Sequence, residues 1–299
     1  MALITLVGDG LSTADVDVAR AIVADLGGQA TGWRWLDEGW AADIDCDGSP
    51  APLLRDAIER DLGGLDVIVQ DRSARQRRLF IADMDSTMIK VECIDELADY
   101  AGVKADVAAV TEAAMRGEID FAEALQARVA LLKGLPVDII ARCIDERVRM
   151  SPGARTLVAT LNERGLHTLL VSGGFTAFTD VVAGELGFAE AHANRLRVKG
   201  GCLTGEVEAP IIDASAKLKA LQEAAQRLGT DACAAIGIGD GANDLPMVTA
   251  AGLGIAYHAK PALSAAADVR IRRGDLTVVL AALGIARREW VRPQTGRLG

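Results

Sequence analysis

Aromatic residues make up only 4% of the 299 positions. The core must therefore be built from Ala, Val, Leu and Ile, which suits aliphatic packing of helices on a sheet. The five cysteines, Cys46, Cys93, Cys143, Cys202 and Cys233, are odd in number and widely spaced, with no CxxC pair. That excludes a disulfide framework and reads as free thiols in a reducing, cytoplasmic setting. Only three histidines exist, His167, His192 and His258, and none sits beside a cysteine pair, which argues against a zinc site. No apolar run reaches the ~18 residues of a membrane span. The start, MALITLVGDGLS, lacks the basic lead and small-residue cleavage site of a signal peptide. Positive charge is also short: the net charge is −10, which argues against a nucleic-acid partner. The one basic cluster, DRSARQRR from Asp71 to Arg78, is either a small nucleic-acid patch or a solvated linker, and its size favours the linker.

What the chain has is 50% hydrophobic content and length enough for two domains. Residues 1–71 alternate as strand, helix, two strands of a hairpin around Asp37-Glu38-Gly39, helix and strand. Gly27-Gly28 and Gly63-Gly64 stop the helices. The order βαββαβ is ferredoxin-like. The polar stretch 72–78 is the expected linker. From residue 79 to 299 strands alternate with helices, which predicts a parallel, Rossmann-like α/β sheet. Between about 91 and 149 only helical signals occur, so an all-helical insertion is expected there. Ser151-Pro152 is expected to open the next helix, with Pro at its first position.

Three predicted strands of the second half end in polar, glycine-containing turns: DMDST after Ala82, SGG after Val171 and GDGAND after Ile238. Ligands of open α/β sheets bind beyond the carboxyl ends of the strands, so the three turns can converge on one pocket. Asp83, Asp85, Asp240 and Asp244 are hard oxygen donors of the kind Mg²⁺ prefers. Two carboxylates as close as Asp83 and Asp85 repel and raise one another's pKa, and a divalent cation offsets that. Ser172 and the Gly173 amide, at an expected helix N-terminus, offer donors to an anion. Lys217, in a helix between the second and third strand ends, can complete a phosphate site.

These motifs resemble, in order, the signature of the haloacid dehalogenase-like hydrolases, and the helical insertion resembles their cap. Glu92 in VECIDELA, Met115, Phe121 followed by Arg128 in FAEALQARVALLKGLP, and ANRLRVKGGCLTGEV are similar to the phosphoserine phosphatases within that family. The resemblance covers about residues 79–285. Residues 1–71 resemble an ACT-type regulatory domain.

The resemblance implies a Mg²⁺-dependent phosphoric monoester hydrolase. It would convert O-phospho-L-serine to L-serine and phosphate, the last step of serine biosynthesis, through an aspartyl phosphate. Asp83 is then the nucleophile and Asp85 the general acid and base. The metal sits on Asp83, Asp240 and the main-chain carbonyl of Asp85, and Asp244 supports that shell or orients Lys217. Ser172, Gly173, Lys217 and Asn243 hold the phosphoryl group. Glu92 takes the substrate ammonium, Arg128 its carboxylate, and Met115 and Phe121 exclude water. Without the resemblance, Glu92 and Arg128 read as surface charges and Met115 and Phe121 as cap core. The alternative keeps the chemistry but passes phosphate to an acceptor such as homoserine, or cleaves another small phosphorylated metabolite. An amino-acid effector near the VGDG turn at 7–10 follows if the ACT likeness holds. Trp33, Trp35 and Trp40 are expected in hairpin packing or, on an exposed sheet face, in a homodimer contact.

Overall fold

The computed structural model describes residues 2–48, 51–115, 118–293 and 296–298, with the side chain of Met115 outside that description. Two sheets organise it. The first is built from β1 (Ala2–Val7), β2 (Gln29–Asp37), β3 (Ala41–Asp47) and β4 (Asp66–Asp71), with helices α1 (Thr13–Asp25) and α2 (Ala51–Asp61). Its strand order, β2-β3-β1-β4, is antiparallel and is that of a ferredoxin-like sheet. Ser12 caps α1 through a capping box with Asp15.

The second sheet starts at β5 (Leu79–Ala82). Four helices follow: α3 (Cys93–Ala101), α4 (Lys104–Met115), α5 (Phe121–Leu131) and α6 (Asp138–Arg147). They form the expected helical insertion. The chain returns through α7 (Ala154–Glu163), β6 (His167–Phe175), α8 (Thr176–Leu186) and β7 (Glu190–Asn194). A two-stranded ribbon, β8 (Leu196–Lys199) and β9 (Cys202–Val207), packs back on the insertion, the Gly134 amide donating to the Leu203 carbonyl at 2.9 Å. Then come α9 (Ala214–Arg227), β10 (Ala235–Gly239), α10 (Leu245–Ala250), β11 (Leu253–Tyr257), α11 (Pro261–Ala266), β12 (Val269–Ile271) and α12 (Val278–Ala282). The large sheet is parallel, in the order β12-β11-β10-β5-β6-β7. Every residue of β5, β10 and β11 is buried, as expected of strands covered by helices on both faces. After β7 the chain crosses β5 to lay down β10, so the order reverses between β5 and β10. That reversal opens a crevice at their carboxyl ends.

Three expectations are corrected. The helix after Ser151-Pro152 begins only at Ala154, because Gly153 takes a left-handed φ of +80° as its N-cap. Strand β6 runs on to Phe175 instead of stopping at Val171, because Phe175 pairs with Asn194 beyond a register break. Ser172 and Gly173 therefore lie in an extended strand end, ahead of the helix rather than at its N-terminus. The basic stretch after Asp71 is only partly solvated. Arg78 is exposed, but Arg72 pairs with Asp45, Arg75 with the buried Asp43 at 2.6 Å, and Arg77 donates to the Cys233 and Gly252 carbonyls.

The two sheets are joined through further polar contacts. Asp66 accepts from the amides of Arg272, Arg273 and Gly274 at 2.8, 3.1 and 2.7 Å. Arg55 donates to the carbonyls of Ala267 and Asp268. Trp40 is buried here, edge-on to Trp290 and under the Arg287 guanidinium, so it packs a seam rather than a hairpin or a dimer face. Trp33 and Trp35 stack edge-to-face, half-buried, on edge strand β2.

Candidate active site

The carboxyl ends of β5, β6 and β10 open into one cavity of about 830 Å³. Asp83, Asp85, Ser172, Gly173, Asp240 and Asn243 line it from the sheet, and Glu92, Phe121 and Arg128 line it from the helical insertion. None of the three histidines does.

Beneath the cavity lies a buried ion chain. Lys217 Nζ stands 2.6 Å from Asp83 Oδ1 and 2.7 Å from Asp244 Oδ1, with both Lys217 and Asp244 at 0% exposure. The sequence places them there by simple means. Asp213 caps α9 by accepting from the Ala216 amide, which fixes Lys217 in the first turn. Asp244 ends a 3₁₀ turn after β10, and its Oδ2 accepts from the amides of Asp240 and Gly241. Both oxygens of Asp244 are thus committed. Asp83 Oδ1 also accepts from the Met84 amide at 2.8 Å.

Burial would lower the pKa of Lys217, but Asp83 and Asp244 outweigh it and hold the ammonium charged above its usual range. Burial, then the Asp244 charge, pushes Asp83 well up, against the pull of Lys217. Asp240 is pushed up to about 6 by burial and then Asp244. Among the described residues, Asp85 has no cation in contact. Burial, then Glu92, pushes it up to about 7, and its Oδ1 is buried without a hydrogen-bond partner.

Side-chain oxygens of Asp83, Asp240 and Asp244 lie within 4.8 Å of one another. When ionised, these three carboxylates face one buried ammonium, an excess of two negative charges. A divalent cation with oxygen preference matches that excess and that donor set. Asp85 is not part of that cluster.

Ser172 Oγ accepts from the Gly174 amide at 2.8 Å, which leaves its proton to donate to an anion. Two glycines follow from close approach. A Cβ on Gly174 would come within 2.9 Å of Asp85 Oδ2 and 3.0 Å of Ser172 Oγ, and one on Gly173 within 3.0 Å of the Phe121 ring. Phe121, from the insertion, therefore lies directly over the strand end. Arg128 is half-buried; its Nε donates to Ala124 of its own helix, and among the described residues it makes no ion pair. Burial lowers its pKa, opposed by Asp95, Glu92 and Asp85. Met115 is the one expected site residue whose side chain lies outside the described residues.

Four residues here were not singled out from sequence. Asn194 is buried and clamps the SGG segment, donating to the Gly173 carbonyl and accepting from the Ile212 amide. Lys260 lines the cavity with its ammonium 4.0 Å from Asp240. Asp95 lines it one helical turn from Glu92. Ser86, directly after Asp85, donates to Glu92 Oε1 at 2.8 Å. Lys260 and Asp95 had no signal beyond nearness to a motif. Ser86 lies inside DMDST itself.

Residues 80–249 match the family model described as haloacid dehalogenase-like hydrolase. The chain is 48% identical over 221 residues to a phosphoserine phosphatase of Polaromonas sp., an alignment covering 72% of this chain and 94% of that one. It is 47% identical over 215 residues to a phosphoserine phosphatase of Archaeoglobus fulgidus, covering 71% of this chain but only 62% of that one. Among solved structures, the unliganded probable phosphoserine phosphatase from Vibrio cholerae superposes with a TM-score of 0.78 at 34% identity, covering 96% of this chain and 88% of that one.

Proposed function

This chain belongs to the phosphoserine phosphatases of the haloacid dehalogenase-like hydrolases, and from that membership we propose how its own residues hydrolyse O-phospho-L-serine. The observation that carries the proposal is the unequal treatment of two neighbouring acids. Asp83 is clamped to the Lys217 ammonium, whereas Asp85 has no cation in contact among the described residues and is pushed up to about 7.

Asp83 Oδ1 is held by Lys217 and the Met84 amide, so Oδ2 is the oxygen that attacks phosphorus. The bond from phosphorus to the seryl oxygen breaks as an aspartyl phosphate forms on Asp83. Asp85, protonated, gives its proton to the departing oxygen. Water then attacks the same phosphorus, Asp85 takes its proton, and Asp83 is regenerated as phosphate leaves. Ser172 Oγ, the Gly173 amide, Lys217 and Asn243 hold the phosphoryl oxygens. Magnesium is the metal we assign, on Asp83, Asp240 and the Asp85 carbonyl; when bound it supplies charge to the phosphoryl oxygens and favours ionised Asp83. Asp244 orients Lys217.

Arg128 presents a guanidinium with no ion pair among the described residues, suited to two-point binding of a carboxylate. Glu92 accepts from the substrate ammonium. Phe121, and Met115 from the same insertion, exclude water. The cellular setting in this reading is the cytoplasm, consistent with free thiols and with no described helix long and apolar enough to cross a membrane. The ferredoxin-like sheet is assigned to regulation by an amino-acid effector near the 7–10 turn, and its edge strand β2, with Trp33 and Trp35, to a homodimer contact.

The test is phosphate release from O-phospho-L-serine with and without Mg²⁺, in wild type and Asp83→Asn. Comparable turnover by the two proteins removes the nucleophile assignment. Faster turnover of phosphate esters lacking the amino acid head removes the roles of Glu92 and Arg128. Transfer to homoserine in place of water supports the alternative acceptor.

A further inference from the structure

Glu92 opens α3 as its N-cap residue, yet its side chain makes no capping bond to that helix. It points instead to the catalytic turn, where Ser86 Oγ donates to Glu92 Oε1 at 2.8 Å. Ser86 is one of two non-glycine residues with positive φ among those described, at +55°. Such a backbone is unfavourable for a residue with a side chain and persists where surroundings enforce it. Here the turn folds back on itself. The amides of Thr87, Met88 and Ile89 all donate to the Met84 carbonyl, and that of Ser86 donates to the Val91 carbonyl. This conformation brings the Ser86 hydroxyl to the start of α3.

We propose that Ser86 is a positioning residue for substrate selection: its hydroxyl fixes Glu92 so that the second carboxylate oxygen faces the cavity at a set distance from Asp85. The inference rests on the reading that Glu92 binds the substrate ammonium. A carboxylate on a freely rotating three-bond stem loses conformational freedom when it meets its ligand. A hydrogen bond that holds one oxygen beforehand reduces that loss, and the covalent link from Asp85 to Ser86 ties the ammonium site to the proton donor. Amino acid and leaving oxygen are thereby registered together. The strained backbone follows from the same need, because a relaxed residue 86 would carry its hydroxyl away from Glu92.

The test compares kcat/KM for O-phospho-L-serine with that for 3-phosphooxypropionate, the same ester without its ammonium group. The ratio of the two cancels any general damage next to Asp85. Ser86→Gly keeps the positive φ without penalty and removes the hydroxyl together with its Cβ. Ser86→Asn tolerates that backbone and restores a donor. Glu92→Gln reports on the underlying reading. The expected result is a ratio lowered about tenfold in Ser86→Gly, the size of one hydrogen bond to a charged group, largely recovered in Ser86→Asn, and lowered further in Glu92→Gln. A ratio lowered in Glu92→Gln but unchanged in Ser86→Gly, or lowered equally in Ser86→Gly and Ser86→Asn, overturns the role of Ser86 alone. A ratio unchanged in Glu92→Gln removes the ammonium reading and this inference with it.

Discussion

Replacing Lys217 by Met tests the buried ion chain most directly. Methionine keeps much of the stem volume and removes the charge. Nζ contacts Asp83 at 2.6 Å and Asp244 at 2.7 Å with all three residues buried. The substitution leaves two carboxylates facing each other without a counter-ion. Removing one partner of a buried ion pair costs about 3–5 kcal/mol, because the remaining charge stays desolvated. For a unit the size of the catalytic part, that lowers the melting temperature of the chelated protein by about 6–20 °C. The sign with pH follows from the carboxylates. Asp83 is already pushed upward in the presence of Lys217, and losing the ammonium raises it further. Lowering the pH neutralises it and relieves the repulsion, so the deficit near pH 8 exceeds the deficit near pH 5.5. Turnover with saturating Mg²⁺ falls about 10²–10³-fold, the usual loss for one electrostatic contact to a reacting oxygen. Paired thermal melts at the two pH values read the outcome. A variant as stable as wild type near pH 8, or a deficit that grows on acidification, refutes the reasoning.

Asp83→Asn should do the reverse to stability: it removes one of two excess negative charges, so the chelated protein melts higher while phosphate release drops about 10⁴-fold or more; a lower melting temperature contradicts the charge argument. Asp85 and Asp240 stand at about 7 and about 6, above the ordinary 3.8, so the native state holds protons that the unfolded chain has lost and stability falls as pH rises through that window. Chelated wild type is expected to melt higher near pH 5.5 than near pH 8, with Mg²⁺ flattening the difference; calorimetry showing the opposite slope rejects it. Gly174→Ala puts a methyl 2.9 Å from Asp85 Oδ2, and displacing the acid by a fraction of an ångström should cost about 10²-fold in kcat with unchanged phosphate affinity; retained kcat counts against Asp85. Arg128→Lys loses the planar fork, so KM for O-phospho-L-serine should rise while KM for phosphoethanolamine, which has no carboxylate, stays; equal changes remove the carboxylate role.

The strand ends were legible because chemistry and backbone signals coincide there. Leu79–Ala82 is an uninterrupted apolar run that stops at two acids, and the strand it forms stops at the same residue. The segment TAFTDVVAGEL, which became α8, follows SGG, where a helix is expected, but its extent had no comparable signal. Apolar and β-branched residues surround it, as suits a helix buried on several sides, and Gly184 interrupts its late turns. Strand β7, EAHAN, is a short edge whose apolar residues are only two alanines, and its pairing with β6 makes it a strand. At the site, the motifs named the groups that touch phosphate but not those that hold them. Asn194 lies 21 residues from the carbonyl it clamps, a distance only the folded chain closes. The same holds for Arg75, whose pairing with Asp43 across 32 residues turned an apparent surface cluster into an internal anchor.

The site divides its work between two layers, and the division has a consequence for variants. Asp83, Asp85, Ser172 and Asp240 come from the ends of buried parallel strands, which other strands hold on both sides. Glu92, Phe121 and Arg128 come from the helical insertion, which meets those strand ends across the cavity. In the proposed reaction the phosphoryl group is met by the sheet layer, and the rest of the substrate by the helical insertion. The insertion shares one buried apolar core with strand and helix residues such as Phe175 and Phe178; at the cavity itself the Phe121 ring over Gly173 and the Ser86 hydroxyl on Glu92 bridge the two. Binding energy from the amino acid head acts on the reacting centre through such bridges, because uniform binding in the insertion lowers KM without raising kcat. Changes confined to the insertion should therefore alter which ester is chosen, whereas changes at the bridges should alter how far that choice accelerates the chemistry.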